Sequence, residues 1–122
     1  AAEAHDPGRP AADESWARFA ASIFYHRADF NRAESYPPLA DRLRALESQS
    51  GLGGNRLFYL ATEPDYFPQI VEQLAAAGLL PRESDTPWTR VVIEKPFGKD
   101  LASARALDQR VLRCRREEQV FR

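Results

Sequence analysis

The sequence predicts an α/β domain with a short parallel sheet flanked by helices. Two observations carry that reading. Residues 56–61 and 90–94 are nearly continuous apolar runs without polar alternation, the pattern of strands buried on both faces, as in a parallel sheet. Each run is followed by a stretch whose apolar residues recur at the helical period. Strands that alternate with helices in this way build parallel sheets, because the crossover helix returns the chain to the end where the previous strand began.

Taken in order, residues 1–14 are rich in Ala, Pro, Gly and charge and read as a flexible lead-in to a domain over 15–122. Trp16, Phe19, Ala20 and Ile23 recur at helical spacing. Residues 22–26 form a short apolar run, a candidate strand, and Asp29, Asn31 and Ser35 are turn and cap residues. From Tyr36, the leucines at 39, 43 and 46 mark a helix that stops near the glycines at 51, 53 and 54. After the strand at 56–61, Pro64 and Asp65 open a helix with the apolar stripe Phe67, Ile70, Val71, Leu74 and Ala75, closed by Gly78. Residues 81–87 read as a loop and 90–94 as a strand. Asp100 then caps a helix to about residue 116 with the stripe Leu101, Ala104, Leu107, Val111 and Leu112.

A chain of 122 residues fits one domain, and at that size it buries roughly two-thirds of its unfolded surface. The net charge of -1 is mixed along the chain, which argues against a nucleic-acid surface. Arg110, Arg113, Arg115, Arg116 and Arg122 cluster, but Glu117 and Glu118 interrupt them, so they read as a solvated helix face. No apolar run is long enough to cross a bilayer, and residues 1–14 carry no secretory pattern. Cys114 is the only cysteine. It allows no intrachain disulfide or zinc cluster and fits a reducing, cytoplasmic compartment. No Ser/His/Asp set and no metal-ligand spacing stands out.

Ligands of open α/β sheets bind beyond the carboxyl ends of the strands. Ala28 and Asp29, then residues 61–64, then residues 94–98 occupy those places. Lys95, held between Glu94 and Pro96, is a cation able to meet a sugar hydroxyl or a phosphate; the alternative is a surface lysine in a turn. The following proline favours an extended backbone at Lys95 and permits a cis bond. Glu94 either orients a group in the site or ends the strand. Asp29 either accepts hydrogen bonds from a ribose or serves the turn. Gly51, Gly53 and Gly54 precede a strand rather than follow one, so they read as a connector and not as a phosphate loop.

Asn55-Arg-Leu-Phe-Tyr-Leu-Ala61, Arg90-Val-Val-Ile-Glu-Lys-Pro-Phe-Gly98, Asp100-Leu-Ala-Ser-Ala104 and Glu118-Gln-Val-Phe-Arg122 together resemble the glucose-6-phosphate dehydrogenase family. The resemblance runs from about Trp16 to Arg122. It implies a partial Rossmann-like doubly wound domain, with residues 22–26 as the third strand, 56–61 as the fourth and 90–94 as the fifth, the last two parallel neighbours. It implies oxidation of glucose 6-phosphate to 6-phosphogluconolactone with NADP, in the pentose phosphate pathway. Lys95 would contact substrate and cofactor. Ala61, Thr62, Phe67 and Glu94 would lie along the cofactor, with Ala28 and Asp29 as further candidates. The sequence departs from the family at Glu63, usually proline, at Phe67, often tyrosine, and at Thr62, often apolar.

The family's glycine-rich phosphate loop, Gly-x-x-Gly-Asp-Leu-Ala, would precede this sequence. Its substrate-phosphate segment and its histidine base would follow, and neither His5 nor His26 matches that base. The chain is therefore expected to be an internal piece with no catalytic residue and no activity alone. The parent is expected to be a homo-oligomer assembled through another domain. Two other readings remain. One is a two-domain oxidoreductase of unphosphorylated sugars or inositols, which also carries Glu-Lys-Pro after a strand. The other is an inactive truncated product. The segment Phe97-Gly98 and the strand at 56–61 favour the first family.

Overall fold

The computed structural model describes residues 14–81, 86–96, 98, 100–114 and 120–121. The expected lead-in lies outside the described residues, apart from its last residue. The order is α1 (Glu14–Ala20), α2 (Tyr36–Ser50), β1 (Arg56–Leu60), α3 (Phe67–Ala76), β2 (Thr89–Ile93), α4 (Leu101–Cys114) and β3 (Val120–Phe121), with short 3-10 turns at Ala33–Ser35 and Pro64–Tyr66. The strands form one parallel sheet in the order β1-β2-β3. Leu57 pairs with Arg90 and Leu60 with Ile93, so the expected parallel ladder between the fourth and fifth strands is present.

Local chemistry accounts for the helix ends. Pro37 sits in the first turn of α2, where its missing N–H costs nothing. Gly51 ends α2 in the left-handed conformation, φ 65°, and its N–H donates to the Glu47 carbonyl. Gly78, φ 72°, closes the turn after α3. Asp100 and Ser103 cap α4 reciprocally: the Ser103 N–H donates to Asp100 Oδ1 at 2.7 Å and the Asp100 N–H donates to Ser103 Oγ at 3.1 Å. The Ser103 backbone bond, first among its causes, holds the Asp100 carboxyl below the usual range.

The core lies on one face of the sheet. Leu60, Val91 and Ile93 from the strands meet Tyr36 and Ala40 of α2, and Phe67, Ile70, Val71 and Leu74 of α3. Leu79 and Leu80 join them. The strands are thus covered on one face and not on both, contrary to expectation: Leu57 and Tyr59 are each 55% exposed. Alternation places Leu57, Tyr59, Val92 and Phe121 on the other face. On that face the Arg90 guanidinium lies 4.8 Å from the Trp88 ring centre and 5.5 Å from that of Phe121.

Three more expectations change. Residues 22–26 form no strand. The Ser22 and Ile23 N–H groups donate to the carbonyls of Phe19 and Ala20, and the Ser22 hydroxyl donates to the Phe19 carbonyl at 2.6 Å. The backbone that a ladder needs is spent finishing the turn after α1. Of the stripe expected for α4, Leu101 is exposed, while Leu107 packs against the core as expected. β3 was not expected; two residues after a helix are too short a run to read as a strand.

Candidate functional site

The parallel register brings two of the three expected places together. Leu60 and Ile93 end β1 and β2 side by side, so Ala61-Thr62 and Glu94-Lys95 leave the sheet next to one another. Ala61, Glu94 and Lys95 are exposed and Thr62 is half-buried. The Lys95–Pro96 bond is cis. Phe97 lies outside the described residues.

Tyr59 belongs to this group, and sequence reasoning missed it. Its hydroxyl donates to Glu94 Oε1 at 2.5 Å. That hydrogen bond, with desolvation and the carboxylate charge behind it, holds the phenol above the usual tyrosine range. The signal lay in the register: with strands parallel and Tyr59 opposite Val92, Glu94 falls one step along the same face.

Ala28 reaches the site through a cleft of about 220 Å³ that it lines with Phe30, Tyr36, Tyr59, Leu60 and Thr62. The cleft opens beside the end of β1 and is walled mainly by apolar groups, a surface suited to a flat ring. Asp29 serves a turn: its Oδ1 accepts from the Asn31 N–H at 2.9 Å, its carbonyl accepts from the Arg32 N–H at 3.1 Å, and its own N–H donates to Ser35 Oγ at 3.2 Å. These bonds hold the turn beside the cleft.

Phe67 is placed differently from the expectation. It is 0% exposed, packed in the core at the first turn of α3. A ring without surface touches no ligand; it supports the turn that follows Thr62. Among the described residues no group of three His, Cys, Asp or Glu is arranged to hold a metal ion, and no helix is long and apolar enough to cross a membrane.

Comparison with known proteins gives a consistent result. The family model described as the NAD binding domain of glucose-6-phosphate dehydrogenase matches residues 1–122. The glucose-6-phosphate 1-dehydrogenase of Chlamydia pneumoniae is 44% identical over 108 residues, covering 87% of this chain and 21% of the relative. Glucose-6-phosphate 1-dehydrogenase 2 of Mycobacterium tuberculosis is 43% identical over 113 residues, 93% of this chain and 22% of the relative. The crystal structure of the Mycobacterium avium enzyme superposes with a TM-score of 0.69 at 35% identity, over 86% of this chain and 20% of that one. A glucose-6-phosphate dehydrogenase in complex with glucose 6-phosphate gives 0.66 at 30% identity, over 80% and 20%. The chain thus spans about a fifth of the length of the relatives it matches.

Proposed function

The chain belongs to the glucose-6-phosphate dehydrogenase family, and from that premise we propose that it forms the cofactor-binding part of an enzyme oxidising glucose 6-phosphate to 6-phosphogluconolactone with NADP. The observation that carries the reading is Lys95, an exposed cation at the carboxyl end of β2, beside the loop that leaves β1. Ligands of open parallel sheets sit at that edge. Lys95 holds the sugar phosphate and the cofactor in register. Ala61, Thr62 and Glu94 line the cofactor, with Ala28 and Asp29 at the cleft beside them. The substrate class follows from the relatives' names and from the solved relative with bound glucose 6-phosphate. Assembly into a homo-oligomer through residues outside these 122 and a cytoplasmic location complete the proposal.

The experiment is NADPH formation from glucose 6-phosphate and NADP, followed by absorbance. The complete protein carrying these residues turns over, and the 122-residue chain alone does not. In the complete protein Lys95→Ala lowers kcat/KM by about 100-fold or more, as loss of a group that aligns two reactants does. Lys95→Arg recovers little, because a planar fork does not replace a compact ammonium. Near-normal kinetics for Lys95→Ala remove the assignment.

A further inference from the structure

We propose that Tyr59 is a positioning residue of this site: its hydroxyl fixes the Glu94 carboxylate as an acceptor for a donor group of the dinucleotide, a ribose hydroxyl or the carboxamide, and keeps it off Lys95. The inference rests on the cofactor reading above and adds to it a residue that acts through Glu94.

Glu94 and Lys95 are adjacent, exposed and opposite in charge. A free carboxylate there would sample many rotamers, some of them folded onto the ammonium. The neighbouring strand removes that freedom. Tyr59 reaches across the ladder from β1 and donates to Oε1 at 2.5 Å, the length of a strong charge-assisted bond. Oε2 makes no hydrogen bond among the described residues. A carboxylate held by one oxygen offers the other to an N–H or O–H donor and offers nothing to a phosphate. Tyr59 is 55% exposed, so core packing does not account for where its hydroxyl points.

The test uses the complete protein and measures KM for NADP and for glucose 6-phosphate separately, NADP affinity by calorimetry, and the melting temperature. Tyr59→Phe keeps the ring and removes the donor. We expect it to raise the NADP KM and Kd by roughly 10-fold or more, the lower end of the range for a hydrogen bond to a charged group, with the KM for glucose 6-phosphate and the melting temperature little changed. Glu94→Ala should weaken NADP at least as much, and so should Glu94→Gln, since its amide oxygen takes the phenol bond and the NH2 then turned to the dinucleotide donates and cannot accept. Adding Tyr59→Phe to Glu94→Ala should have no further effect, as coupled residues require. Unchanged NADP affinity in Tyr59→Phe, or additive losses in the double variant, overturns the proposal. A fall in melting temperature with both KM values moving together assigns Tyr59 to stability and also overturns it. A protein that binds NADP without oxidising glucose 6-phosphate sinks the substrate reading while calorimetry still decides this one. A protein that binds no NADP removes both.

Discussion

Arg56 and Glu47 form a two-pronged ion pair that ties the first residue of β1 to the last turn of α2. The guanidinium Nε donates to Glu47 Oε1 at 2.6 Å and a terminal nitrogen donates to Oε2 at 2.8 Å. Both side chains are only 17% exposed. The exposed pairs Arg32–Glu34 and Arg44–Asp41 are, by contrast, water-screened and contribute little. Removing one partner of the Arg56–Glu47 pair strands a mostly desolvated charge. Arg56→Ala should therefore destabilise the fold by about 1–3 kcal/mol, the usual cost of orphaning a buried hydrogen-bonding group. Arg56→Lys should recover only part of this, since it keeps the charge and loses the fork. Urea melts of the three proteins check the order.

The same pair sets a pH dependence. The Arg56 hydrogen bond, ahead of its charge, holds the Glu47 carboxyl below its ordinary value. A depressed carboxyl stabilises the folded state above the unfolded pKa, about 4.3 for Glu, and that stabilisation is lost as pH falls through the lower folded value. Stability should therefore fall as pH drops below about 4.3, with a steeper slope in the parent sequence than in Glu47→Gln. Parallel acid profiles for the two would remove the effect.

Gly98 closes against α4 in a way only glycine allows. Its φ is 130°, and a Cβ there would lie 2.7 Å from Ser103 Oγ and 2.8 Å from the Ala104 nitrogen. Gly51 also has positive φ, 65°, but open space around it. Gly98→Ala should cost about 1–3 kcal/mol, the range for a strained backbone residue, and disturb the segment that carries Lys95. Gly51→Asn should cost about 1 kcal/mol or less, because Asn tolerates the left-handed region. Equal melting temperatures for the two variants would contradict this contrast.

How much of this was legible depends on whether a neighbour was needed to see it. The ends of α2, α3 and α4 were readable because Gly51, Gly78 and Asp100 act within one turn of themselves. The pairing of β1 with β2 was readable because two apolar runs flank one helix. The strand expected at 22–26 was not realised because apolar β-branched residues state only that a segment can pair, and Ser22 and Ile23 instead complete the turn of α1. Lys95 was visible as a charge at a strand end. Tyr59 was hidden, since its partner Glu94 is 35 residues away and emerges only from the ladder register. Phe67 shows the converse: proximity in sequence to Thr62 suggested a contact, while the apolar stripe it begins draws the ring fully into the core.

The outer edge and bare face of β1 lead to the last prediction. β1 pairs only with β2 among the described strands, so one row of its N–H and C=O groups is left for another strand. Leu57 and Tyr59 are exposed on its uncovered face, and Trp16, Phe19, Ile23 and Phe24 are exposed elsewhere in the chain. An unpaired edge with apolar side chains is a template for pairing between molecules. The 122-residue chain should therefore self-associate as its concentration rises, read by light scattering across a dilution series. Leu57→Lys places a charge on the exposed face without opening a core cavity. It should change folding stability by no more than about 0.5 kcal/mol, as exposed substitutions usually do, and still lower the association. Val71→Ala, a fully buried site, should do the reverse, destabilising the fold and increasing association through unfolded chain. A parent chain that stays monomeric at high concentration, or a Leu57→Lys chain that associates equally, would show that this edge is not the surface involved.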